Sequence, residues 1–543
     1  MDYNGCLEKY VPRCSMNTKF IRRGALLLLL VLVGIMCFMY ADTKSGLFID
    51  EIYTFGLSNN HDGPFIDSLL DYDINNKLLS RQDLLDYVTV NEGERFDFKA
   101  VYNNQANDVH PPLYYWLFNI VYSLFPGYFG IWPGFVLNLL IYSASLIFLY
   151  ALLKELFGST LVALAGVPLY GFSLIGMSTM LMIRMYVLVV MLSLALSYLV
   201  VRLMTEKKLS LYILTGLCIF LGLMTQYYFV FYAFFLCAAF VFYCLYKKDY
   251  KGILAFAVSA FAGVALMLLC FPHVFTHLFA DSLVSGGNAL ENLSNTSQYL
   301  SRLSYYYSQV RHGLKASIIV AIAVVIVLLV FCKKVFRSFK EKKINLKTLF
   351  LLIPALVTLV LVSIISPVTD IRYVYNIVPI FVVAICMLIH WLEASTTDIE
   401  IFALLKWLAF ATLVLFNFWF GRWSEPAYQY HEHPEYRAVL AEHADAPCVY
   451  LTDGIHYAIS QDLPFLMIFD ELFIAPSPDS EALEDYLAGF EGDKCVVYID
   501  VSEFWSSGYD PDVMLPDFLE HSDFNEYELL YSFGLSQTYL LSK

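Results

Sequence analysis

The sequence predicts a polytopic α-helical membrane protein that ends in a small α/β domain outside the membrane. Three observations carry that fold class. Of 543 residues, 59% are hydrophobic and only 15% charged, a balance foreign to soluble domains. Apolar stretches recur from Gly24 to Phe420, each long enough to cross roughly 30 Å of hydrocarbon at about 1.5 Å per residue. From Gly421 onward the character changes: about 24 acidic residues stand against four Lys/Arg, and short strand-like runs replace the long apolar ones.

The first 23 residues form a basic tail, followed by an apolar run over 24–40. That run has a long core and no small-x-small site after it, so it reads as an uncleaved anchor. Further spans are expected near 131–153, 160–180, 185–202, 209–225, 227–246, 252–272, 316–332, 349–366, 373–392 and 402–420, about eleven in all. Lys and Arg set their orientation. Lys9, Arg13, Lys19, Arg22 and Arg23 precede the first span. Lys154, Arg202, Lys207, Lys208, Lys247, Lys248, Lys251 and the run KKVFRSFKEKKINLK (333–347) fall on the same side. The N-terminus is therefore expected inside and the C-terminus outside. The short 393–401 loop lacks a cation, and Lys406 can snorkel to that side.

Three segments are then extracytoplasmic. Loop 41–130 is far longer than a connector needs to be, which marks it as functional. Its segment PPLYYWLFNIVYSLFPG is too short to span and rich in aromatics, as expected of a helix lying in the interface and opened by Pro111-Pro112. Loop 273–315 carries His273, His277, Arg302, Arg311 and His312. The tail 421–543 has strand-like runs CVYLTD, LMIFDELFIA and CVVYIDV, a helical stretch EALEDYLAGF and a closing hairpin YELLYSF…QTYLLS. Its acidity, within a net charge of −15, excludes nucleic acid as a partner. Nine of the eleven cysteines lie in the N-terminal tail or in spans; Cys448 and Cys495 open two of the outer strands, as buried thiols or as a disulfide.

Asp50 and Glu51 follow the first span in an apolar context, LFIDEIYTF. Partial burial raises a carboxylate's proton affinity unless a cation opposes it, so an acidic pair held there is a candidate general base. His110, at the end of the same loop, is placed to bond Asp50 or a substrate. Arg184 (MLMIRMYVLVV) and Arg372 (PVTDIRYVYNIVPI) lie at the outer edges of spans, where ionisable residues are costly and by default functional. A guanidinium matches phosphate oxygens with several donors at once, so both are candidates for a lipid-linked phosphate, with Asp370 a local partner for Arg372. No Walker-type loop, metal-spacing motif or internal repeat is present.

The DE pair after the first span, HPPLYY at 110–115, R-x-Y at Arg184–Tyr186 and R-Y-x-x-x-x-x-P at Arg372–Pro379 resemble the GT-C superfamily of membrane glycosyltransferases. The similar branch is the bacterial set related to dolichyl-phosphate-mannose protein mannosyltransferases and the aminoarabinose transferase of lipid A. The resemblance covers roughly residues 20–420. It implies an inverting transfer of a sugar from a polyprenyl-phosphate donor to a glycan, lipid or protein acceptor outside a bacterial cell membrane. It also implies Asp50 as the catalytic acid/base, Glu51 as an acceptor contact, Arg184 and Arg372 as phosphate ligands, and His110, Tyr186 and Tyr373 in support. Some members bind a divalent metal near the acidic loop. The tail matches none of the repeats that eukaryotic protein O-mannosyltransferases carry, which bears against a protein acceptor. The rival reading is a transporter or flippase of lipid-linked glycans, which favours midplane charges and paired discontinuous helices; neither is evident in the sequence.

Overall fold

The structure, a computed structural model, describes residues 15–543 except 67–75, 280–290, 331–345, 396–399, 431, 433, 453–455, 491 and 503–508. Lys9, Arg13 and most of the basic 333–347 run lie outside the described residues. The chain divides into two compact units: Met1–Asp42, Asn138–Leu181 and Tyr186–Ala427 in one, and Thr43–Leu137, Met182–Met185 and Tyr428–Lys543 in the other.

The first unit is helical. Among the described residues, seven helices from Arg22–Asp42 to Ile371–Ser395 are long and apolar enough to cross a bilayer, or nine when each of two bent pairs counts as one span. The remaining two expected spans correspond to Leu209–Leu223, only 15 residues long, and to Glu400–Arg422. One bent pair, Thr160–Gly171 and Leu174–Leu181, turns through 63°. Pro168 lies in its first helix, where it costs a backbone donor and favours a kink. The carbonyls at the bend are re-satisfied: Tyr142 Oη donates to Tyr170 O and Gly171 O at 3.3 Å, and Ser173 Oγ to Tyr170 O at 2.7 Å. Irregular backbone at membrane depth needs such partners. After Leu181 the chain breaks again at 182–185 before resuming as Tyr186–Leu203.

The second unit is built on a six-stranded sheet in the order β1-β3-β2-β4-β6-β5. These strands are β1 (Lys77–Ser80), β2 (Cys448–Leu451), β3 (Glu471–Ala475), β4 (Lys494–Asp500), β5 (Glu526–Phe533) and β6 (Ser536–Ser542). β2 pairs in parallel with β3 and β4, whereas β1–β3, β4–β6 and β5–β6 are antiparallel. The expected strands, the helix Glu481–Ala488 and the closing hairpin are all present. The hairpin turns at Gly534, whose φ of 56° suits a residue without Cβ. Val449, Leu451, Val497, Ile499 and Leu541 form its apolar core with Phe518. Cys448 and Cys495 are buried free thiols in neighbouring strands.

The expected domain boundary at 420/421 is drawn differently. β1 comes from the 41–130 segment, and it completes the edge of a sheet otherwise made by the C-terminal tail. Loop and tail are one unit because that strand hydrogen-bonds to β3 and because the helices of the loop pack on the tail. Tyr53 on helix Ile49–Asn59 meets Tyr457 edge-on, with ring centroids 6.1 Å apart.

Candidate active site

The acidic pair opens helix Ile49–Asn59, in its first turn, where the helix dipole favours negative charge. Phe48, the residue before the helix, has no side-chain acceptor to cap it. The cap comes instead from Glu51, whose Oε2 accepts the Phe48 N–H at 2.8 Å. Glu51 is fully buried. The same Oε2 lies 3.0 Å from Lys44 Nζ, in an ion pair whose side chains are 1% and 0% exposed. Its Oε1 accepts the Ile183 N–H at 2.8 Å. Glu51 therefore holds backbone and cation rather than facing an acceptor substrate as expected. Its geometric reason is saturation: three donors from two chain segments occupy a carboxylate closed to water.

Asp50 is the accessible member of the pair, its side chain 17% exposed. Arg184 sits behind it, almost completely buried. Arg184 Nε lies 3.7 Å from Asp50 Oδ2. Its Nη1 donates to the Asp50 carbonyl and, at 3.3 Å, to Thr54 Oγ1, and Thr54 in turn donates to the same carbonyl at 3.0 Å. Arg184 was expected on a donor phosphate; in the structure its guanidinium reaches the start of the helix that bears Asp50.

His110 does not bond Asp50. Its Nδ1 lies 2.8 Å from Asp108 Oδ2, in a half-buried pair. Burial pushes the Asp108 carboxyl up, but His110 and the nearby Arg184 outweigh it and hold it below the usual carboxylate range. Tyr115, buried on the helix that the proline pair opens, donates to Met185 Sδ at 3.8 Å. It feels the charges of Arg184, Asp108 and Asp50, so these groups share one neighbourhood. Lys44 and Asp108 were not singled out from the sequence. Lys44 could have been noticed as a cation just before the acidic pair, and Asp108 as an acid two residues before His110.

A divalent metal does not fit this cluster. Among the described residues no three His, Cys, Asp or Glu side chains converge as ligands, and both Glu51 oxygens already face donors.

In the helical unit, Arg372 begins the 3₁₀ helix Ile371–Ile377, capped by Asp370, which accepts the Arg372 N–H at 2.9 Å. The Arg372 guanidinium lies 3.7 Å from Asp370 Oδ2 and 5.5 Å from the Tyr373 ring centroid. Tyr373 packs on Tyr228 at 4.8 Å, and Tyr186 is buried edge-on to Tyr375 at 6.3 Å. Arg302, from loop 273–315, is buried and donates to Ser363 O at 2.9 Å and Ser366 Oγ at 2.8 Å. It thereby satisfies carbonyls at the end of span Leu346–Ile365.

Residues 109–275 match the family described as dolichyl-phosphate-mannose-protein mannosyltransferase. No curated protein sequence matches. Among solved structures, ArnT from Cupriavidus metallidurans bound to undecaprenyl phosphate is similar over 95% of this chain and 98% of its own, with a TM-score of 0.50 and 12% identity. The Archaeoglobus fulgidus oligosaccharyltransferase in complex with Zn and sulfate covers 72% of this chain and 59% of its own, at a TM-score of 0.39 and 10% identity, too distant to inform the fold. The chain, with its helices of bilayer length, is similar to the dolichyl-phosphate-mannose-protein mannosyltransferase family over residues 109–275 and shares its fold with ArnT.

Proposed function

We propose that the protein transfers a sugar from a polyprenyl-phosphate donor to an acceptor hydroxyl outside the cell membrane, with inversion. The observation that carries this reading is the division of labour in the acidic pair. Glu51 is sealed and saturated, whereas Asp50 is accessible and backed by Arg184. An accessible carboxylate anchored by its own main chain is what a general base requires. ArnT, similar in fold, was solved with undecaprenyl phosphate, which supports a donor of that class.

Asp50 takes the acceptor O–H proton as that oxygen attacks the anomeric carbon. The bond from that carbon to the phosphate oxygen breaks on the opposite face, and its electron pair leaves with the lipid phosphate. One displacement inverts the anomeric centre. The leaving group gathers negative charge, so it needs a cation. Arg372 serves that role in this scheme; Arg184 serves Asp50 instead. No step passes through a metal.

The test is transfer of labelled sugar from synthetic polyprenyl-phosphate donors to an envelope extract by purified, reconstituted protein. Transfer by the parent protein and its loss in Asp50→Asn support the reading. Transfer that persists in Asp50→Asn removes Asp50 from the mechanism.

A further inference from the structure

Donors from two separate stretches of chain meet at the Glu51 carboxylate, and a third stretch is tied in through Lys44. Phe48 N–H belongs to the start of the Asp50 helix, and Ile183 N–H to the four-residue break that carries Arg184. Lys44 Nζ supplies the third donor and also reaches the carbonyl of Tyr428, where the chain enters the C-terminal domain. Around Lys44 the two stretches are laced together: Ser45 N–H donates to Gln429 O at 2.9 Å, Ser45 Oγ to Glu432 O at 3.0 Å, and Gln429 Nε2 to Thr43 Oγ1 at 2.7 Å.

The consequence follows from burial. A carboxylate and an ammonium that are 0% and 1% exposed are stable there only as a hydrogen-bonded pair. Lys44 keeps the Glu51 charge compensated one residue away from Asp50, so Glu51 does not compete with Asp50 for the guanidinium. Glu51 in turn fixes the backbone on both sides of the Asp50–Arg184 contact, at Phe48 and at Ile183.

Building on the transferase reading, we infer that Lys44 and Glu51 are a positioning pair: their buried ion pair sets the relation of Asp50 to Arg184, and neither touches substrate. This assigns Glu51 a different role from the acceptor contact expected from the sequence.

The experiment compares Lys44→Met, Glu51→Gln, the double variant Lys44→Met/Glu51→Gln and Lys44→Arg in full-length protein. Thermal midpoint, kcat and both KM values are read for each. Each single neutralisation leaves a buried group unpaired, so a lower midpoint is expected along with a kcat loss of about 10²-fold. The double variant holds no unpaired charge and recovers its midpoint, yet kcat stays at least about tenfold low with donor and acceptor KM unchanged. Lys44→Arg retains charge and donors and recovers kcat to within a few-fold. A double variant with parental midpoint and parental kcat overturns the inference, as does a Glu51→Gln defect confined to acceptor KM.

Carbodiimide labelling with a small amine, mapped by mass spectrometry, gives an arm independent of turnover. In the parent protein Asp50 should label and Glu51 should not, and Lys44→Met should open Glu51 to labelling. Equal labelling of both acids in the parent overturns the pair. Absence of sugar transfer in the parent overturns the transferase reading and leaves the labelling result to decide the pair.

Discussion

Arg184 meets Asp50 twice, through the main-chain carbonyl at Nη1 and through the carboxylate, 3.7 Å from Nε. A guanidinium reaches both from separate nitrogens held in one fixed plane, whereas an ammonium offers a single nitrogen on a flexible stem. The first prediction follows. Arg184→Lys keeps the charge and loses the second contact, so kcat should fall about tenfold or more while donor KM holds. Steady-state kinetics decide it. A variant altered only in donor KM would return Arg184 to the phosphate.

Asp50→Asn preserves shape and removes the proposed base. Since Arg184 and Thr54 hold the main-chain carbonyl rather than the carboxylate alone, the helix start should survive. Donor binding and thermal midpoint should stay near parental while kcat drops about 10²-fold or more. Equal losses of stability and donor binding would instead mark Asp50 as structural.

Arg372 faces the local acid Asp370 and the Tyr373 ring. Arg372→Lys loses the planar fork, and the expected effect is a several-fold rise in donor KM with kcat little changed. Titration with polyprenyl phosphate as a competing product provides the check, since its inhibition constant should rise in parallel. Unchanged donor and product affinity would leave Arg372 as the partner of Asp370.

Orientation can be read directly. Asn103 and Asp523 are exposed in the unit that carries the acidic pair, and Lys207 is exposed in the helical unit on a basic loop. Cysteine placed at Asn103 or Asp523 should react with an impermeant reagent in intact cells, and cysteine at Lys207 only after permeabilisation. The reverse pattern would put the acidic pair inside the cell.

The spans and the closing hairpin were legible in the sequence because their signals are local: apolar runs of bilayer length, and alternation around a Gly534 turn. The acidic pair was legible from its apolar setting. Its internal division was not, because the Glu51 partner at Ile183 lies 132 residues away and is a backbone N–H that any residue supplies. β1 escaped for a similar reason. KLLS is four residues long, and only pairing with Glu471–Ala475 makes it a strand. The acid that His110 meets is Asp108, two residues away, rather than the Asp50 expected from the sequence.

The last prediction concerns pH and the C-terminal domain. Asp462, on helix His456–Leu466, is buried, and the Tyr450 hydroxyl donates to its Oδ2 at 2.8 Å. Burial, reinforced by the charge of Asp500, pushes its carboxyl up to about 7. Near pH 4 and below, the proton is bound in folded and unfolded chains alike. Between about pH 4 and 7 the folded protein keeps a proton that the unfolded chain has lost, so stability falls as pH rises, by up to about 4 kcal/mol, and levels off above 7. Asp462→Asn cannot ionise and should escape that loss. Its thermal midpoint relative to the parent should therefore climb from pH 5 to pH 7 and then hold to pH 8. Parallel midpoint curves for the two proteins across that range would show that Asp462 titrates as an ordinary carboxyl.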